Sequence, residues 1–250
     1  MSGHSKWATI KRKKAAADAA RGKLFTKAIK EITLAARHGG GDPDANPRLR
    51  TAITAAKAVN MPASNIERAI KRGTGELAGV TIEETLYEGY GPGGAAILVE
   101  VATDNRNRTS GEIRHLFTKN GGSLAEAGSV SYMFKPRGVI QVDKKAVSED
   151  ALIELVLEAG ADDVHTDLDD TYEVVTAPAQ FEAVREALQA KSLPVLSAEI
   201  AKVASIQVAV APKDAETLLR LIDALEEHDD VQKVWSNFNI SDEVLAKLSR

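Results

Sequence analysis

Nine cations crowd one end of the chain: Lys6, Lys11, Arg12, Lys13, Lys14, Arg21, Lys23, Lys27 and Lys30, with Asp18 the one acid among the first 30 residues. Clustered Lys and Arg are the electrostatic footprint of phosphate binding. Such contacts hold a polyanion in place without reading bases. Trp7 sits inside the cluster. An indole there can stack on a base or sugar, or pack as a hinge against the protein itself.

A second stretch with chemical character is "TDNRNRT", residues 103–109. Asp104, Asn105, Asn107 and Thr109 are turn and cap formers, which predicts the start of a helix. Arg106 and Arg108 add positive charge beside that helix start, where anions are favoured. The two residues are candidates for a second phosphate or ribose contact, and equally for a purely structural cap.

Motifs for catalysis and cofactors are missing. Gly89, Gly91 and Gly94 fit G-x-G-x-x-G, but Pro92 interrupts the run and a strand follows, so the pattern predicts a hairpin turn. No G-x-x-x-x-G-K-[ST] occurs. "HGGG" at 38–41 lacks any G-x-S-x-G partner. The five histidines are scattered and cysteine is absent, which argues against zinc and thiolate chemistry. Acids at 162–170 and 226–230 lack EF-hand spacing and read as solvated faces. No catalytic residue, metal site, cofactor or small-molecule substrate is expected.

The elements that carry these residues follow from periodicity. Phe25, Ala28, Ile29, Ile32 and Ala36 share one helical face; Lys23, Lys27, Lys30 and Arg37 fall within an arc of roughly 80° on the other. "HGGG" stops this helix. Asn46 and Pro47 start a second helix, and Ser64 with Glu67 has the spacing of a capping box for a third, ending near Gly73. Three short amphipathic helices predict a bundle. Lys6 and Lys11 to Lys14 point all round a helical wheel, so residues 1–20 read as an arm ordered by its partner.

Beyond residue 75 the pattern turns to strands and helices. "TLYEGY" and "AAILVEVATD" predict a strand pair around "GPGG", followed by a helix in "SGEIRHLFTKNG". "SVSYMF" and "GVIQVD" read as strands on either side of "KPR". Residues 138–202 give the order β-α-β-β-α-β, which is ferredoxin-like. The tail reads β-α-β. The expected fold is α+β with three domains, a helical bundle followed by two α/β (ferredoxin-like) domains. Their ranges are 1–75, 76–135 with 203–241, and an inserted 136–202.

Charge follows the same division. Residues 1–75 hold 16 basic and 5 acidic residues, a net +11; the other 175 hold 16 and 31, a net −15. A basic head on an acidic body suits a polyanion partner. The alternative is a head that docks on its own body. No apolar run is long enough to span a bilayer, and the expected setting is cytoplasmic.

The quoted segments also carry a resemblance. "GHSKWATIKRKKAAADAARGKLFTKAIKEI", "GGGDPDANPRLRTAITAAKAVNMPASNIERAIKRGTG", "YEGYGPGGAAILVEVATDNRNRT" and "RHLFTKNGGSLAEAGSVSYMF" are similar to the YebC/PmpR family, to which the mitochondrial translational activator of cytochrome c oxidase subunit I also belongs. The resemblance implies a three-domain, non-enzymatic regulator that binds DNA. Alternatively it implies a ribosome-associated factor that binds ribosomal or transfer RNA and relieves stalling at proline runs. Ala20 and Tyr132 depart from the family pattern, which often has a basic residue and Trp there. From another class, a hydrolase or metal enzyme on the acidic body is the alternative. No helix-turn-helix recognition helix or RNP-type aromatic motif stands out.

Overall fold

The computed structural model describes residue 7 and residues 19–168 and 170–248. The chain forms two compact units, residues 132–207 and residues 19–131 with 208–248.

The bundle opens the larger unit. Helices α1 (Ala19–Gly39), α2 (Pro47–Ala58) and α3 (Ala63–Gly73) bury Ile32, Ala35, Ala36, Leu49, Ala52, Ala56, Met61, Ile66 and Ala69 against one another. Gly40 ends α1 at φ 85°. Asn46 then ties two helices together. Its Oδ1 accepts from Leu49 N at 3.1 Å to cap α2, while its Nδ2 donates to Ala35 O at 2.8 Å and Gly40 O at 2.9 Å. The expected capping box at Ser64 is not formed: α3 begins at Ala63 after Pro62, and Glu67 pairs instead with Lys71 one turn on. Gly73 permits a close approach, since a Cβ there would lie 2.4 Å from Thr33 O of α1.

An antiparallel sheet follows. Strands β1 (Glu83–Tyr90), β2 (Ala96–Thr103), β3 (Ser123–Ala125) and β9 (Val231–Ser236) lie in the order β3-β1-β2-β9. The glycine run between β1 and β2 makes the hairpin turn that the sequence predicts, with Gly93 at φ 73°. Helices α4 (Arg106–Lys119) and α7 (Pro212–Glu226) supply the core through Ile113, Phe117, Leu218, Leu221, Ile222 and Leu225. Beside the sheet, β8 (Val208–Ala209) pairs in parallel with β10 (Phe238–Asn239), and α8 (Asp242–Leu248) closes the described chain.

The other unit has the ferredoxin-like order. Strands β4 (Phe134–Asp143), β5 (Asp163–His165), β6 (Thr171–Thr176) and β7 (Val195–Ala204) form an antiparallel sheet ordered β5-β6-β4-β7. Helices α5 (Glu149–Glu158) and α6 (Phe181–Ala190) contribute Leu152, Val156, Val184 and Leu188 to its core.

Two strand expectations need correction. "KPR" does not separate two strands; it lies inside β4. Pairing with β6 begins at Gly138, so residues 134–137 pair with β7 alone, and a sheet tolerates proline at such an edge. "SVSYM" is not a strand because its amides are used elsewhere. The buried carboxylate of Glu88 on β1 accepts from Gly128 N, Val130 N and Ser131 N at 2.7, 2.7 and 2.8 Å. Burial alone would raise the pKa of Glu88, but those three N–H groups hold it below its ordinary value. Among the described residues, no helix is long and apolar enough to cross a membrane.

Candidate nucleic-acid interface

Lys6, Lys11, Arg12, Lys13 and Lys14 lie outside the described residues, and Arg21 lies in the first turn of α1. Trp7 is half-buried.

Lys23, Lys27 and Lys30 recur one turn apart on α1, and all three meet the end of α7. Lys27 Nζ donates to Glu226 O at 2.6 Å, Lys23 Nζ to Glu227 O at 3.2 Å, and Lys30 Nζ to Asp229 O at 3.0 Å. The last carbonyls of a helix have no intrahelical donors and carry the negative end of its dipole. The stripe supplies both donors and charge there.

Asp230 completes the junction. Its Oδ1 accepts from Lys30 Nζ at 2.6 Å. Its Oδ2 accepts from Thr109 Oγ1 at 2.6 Å, Arg108 Nη2 at 2.8 Å and Thr103 Oγ1 at 3.1 Å. Burial would push the carboxyl up; the bonds from Lys30, Thr109 and Arg108 outweigh it and hold the group well below the carboxylate range. The acids at 226–230 are therefore not simply a solvated face: Asp230 is 5% exposed and receives Lys30 of the head. Only spatial pairing of residues some 200 positions apart reveals this.

The "TDNRNRT" segment caps a helix. Asn105 Oδ1 accepts from Arg108 N at 3.1 Å. Arg108 also pairs with Asp104 at 2.9 Å and lies 3.9 Å from Glu112, so its guanidinium faces three carboxylates of its own chain. Arg106 is exposed.

An open cavity of about 760 Å³ lies between α4 and the loop after α7, lined in part by Lys23, Gly111, His115 and His228. At its edge Glu112, His228 and Asp230 offer ligand atoms within 4.8 Å of one another. These atoms are already engaged. His228 Nε2 faces Glu112 Oε2 at 2.9 Å, His228 Nδ1 accepts from Asp230 N at 3.1 Å, and both Asp230 oxygens face cations. The trio is a closed hydrogen-bonded set and a poor cation cage.

Residues 5–76 match the TACO1/YebC protein N-terminal domain, and residues 82–238 match the TACO1/YebC second and third domain. The chain belongs to the TACO1/YebC family. Within it, a probable transcriptional regulatory protein of Geobacter sulfurreducens is 59% identical over 248 residues, covering 99% of this chain and 100% of that one. One of Sulfurihydrogenibium is 56% identical over 249 residues, covering 99% of each. A crystal structure of a conserved hypothetical protein from Aquifex aeolicus superposes with TM-score 0.84 at 49% identity, covering 92% of this chain and 95% of that one.

Proposed function

We propose that the protein is a cytoplasmic, non-enzymatic regulator of gene expression that binds nucleic acid, in the manner that the names of its TACO1/YebC relatives suggest. The observation that carries this reading is the charge division: net +11 in the first 75 residues against −15 in the rest. A polyanion is attracted to the head and repelled by the body, so contact concentrates at one end. DNA is the first candidate partner, with Lys6, Lys11, Arg12, Lys13 and Lys14 as phosphate contacts. The second is the ribosome. Four of the five cations at positions 6–14 are lysines, and a flexible point charge suits the phosphates of folded RNA as well as those of a duplex.

The deciding experiment compares full-length protein in a chromatin pull-down and a ribosome co-sedimentation from the same cells. Association with chromatin that is lost at high salt supports transcriptional control. Sedimentation with ribosomes alone moves the function to translation. Retention by neither overturns the reading.

A further inference from the structure

The lysine stripe of α1 is turned toward its own chain, whereas other cations of the bundle are not. Helices α2 and α3 together carry six basic residues and one acid. Arg48 is held by Glu31 and Glu84. Glu67 and Lys71 form an exposed pair one turn apart, the kind that exchanges readily for another partner. Arg50, Lys57, Arg68 and Arg72 remain exposed, and the side chains of Lys57 and Arg68 make no ion pair or hydrogen bond among the described residues.

The geometry around them is specific. A four-residue turn, 59–62, joins α2 to α3. Asn60 takes the left-handed conformation at φ 61°, and Met61 N returns to Ala56 O at 3.0 Å. Both helices are anchored on α1 through small or buried inner positions, namely Ala52, Ala56, Met61, Ile66 and Ala69. Two helices joined by a tight turn and held by a third form the arrangement in which the second helix reads a duplex.

The outer face of α3 has suitable chemistry. Ser64, Arg68, Lys71 and Arg72 recur at helical spacing, with Asn65 beside them, and its first turn carries no acid. Arg recognises guanine and Asn recognises adenine through paired hydrogen bonds.

We propose that α3 enters the major groove of duplex DNA, with Ser64, Asn65 and Arg68 toward base edges and Arg50, Lys57 and Arg72 toward phosphates. The assignment rests on the nucleic-acid reading above. The DNA major groove is wide enough for a helix. The A-form RNA major groove is too deep and narrow for side chains to read, so the proposal commits to DNA.

The test takes full-length protein through binding selection on a random-core DNA duplex library. The enriched duplex is then compared with scrambled DNA and with an RNA duplex of the same sequence. The expected result is preference for the enriched DNA, with methylation of one guanine N7 blocking binding. Arg68→Ala and Arg68→Lys should each lose roughly 5- to 150-fold on that duplex, the span of one bidentate contact, while leaving affinity for scrambled DNA within about threefold for the lysine variant. Arg68 is exposed, and matched thermal melts check the fold. Wild-type protein that binds the library with no enrichment, or Arg68→Lys equal to wild type on the enriched duplex, overturns the proposal and leaves the nucleic-acid reading standing. Wild-type protein that retains neither DNA nor RNA overturns both.

Discussion

Asp230 shows how one side chain can organise a junction. It is buried beneath two cations and two hydroxyls, so its charge is matched only while those partners stay in place. Asp230→Asn keeps the shape and removes the charge, leaving the half-buried Lys30 without its counter-ion. The expected loss is about 3 kcal/mol, in the range for breaking a buried pair, read as a shift in urea midpoint at pH 7. The pH dependence follows from the lowered folded-state pKa. An unfolded Asp titrates near 3.9, so the stabilisation is fully present above that value and is lost as pH falls through the lower folded-state value. The gap between wild type and Asp230→Asn should therefore narrow below about pH 4. A gap that stays constant down to pH 2 contradicts the assignment.

At the scale of elements, the bundle depends on how closely α3 approaches α1. A methyl group at Gly73 would lie 2.4 Å from Thr33 O and 2.7 Å from Ala36 Cβ. Gly73→Ala should cost about 1–3 kcal/mol through overpacking. Gly22, in α1, has no atom within 4 Å of a Cβ placed there. Gly22→Ala should stabilise by about 0.5–1 kcal/mol, because alanine restricts the unfolded chain and favours helix. Paired chemical-denaturation curves check both signs at once. The bundle was legible because its signals are local: Gly40, Asn46 and Pro47 act within a few residues of where they stand. The loop at 126–131 was not legible, since its conformation answers to Glu88 about forty positions earlier. The same distance problem hid where Lys23, Lys27 and Lys30 dock. The wheel placed them together, and only the fold brings α7 beneath them.

At the scale of the whole molecule, charge segregation sets the salt response. If about five cations of the N-terminal segment meet duplex phosphates, log K against log salt should slope near −4.5. Replacing Lys11, Lys13 and Lys14 with Glu should weaken binding to all sequences alike and flatten the slope. Unchanged binding by this triple variant removes the segment from the interface and leaves α2 and α3 as the phosphate contacts.

The ferredoxin-like unit begins and ends at one place. Ser205 N and Oγ both donate to Met133 O, at 2.8 and 2.9 Å, so the chain entering at 133 and the chain leaving at 205 are neighbours. Two ends already side by side can be joined by a few residues, and closing so short a gap costs little entropy. A chain in which a short Gly-Ser bridge replaces residues 134–204 should keep β1, β2, β3 and β9 in register, visible as retained amide protection across those strands. The excised unit, made alone, should show its own cooperative melt. Loss of protection in the bridged chain would show that the two pieces fold only together. In engineering terms, the molecule offers a socket: a site where one module can be lifted out, and another put in, without rethreading the rest.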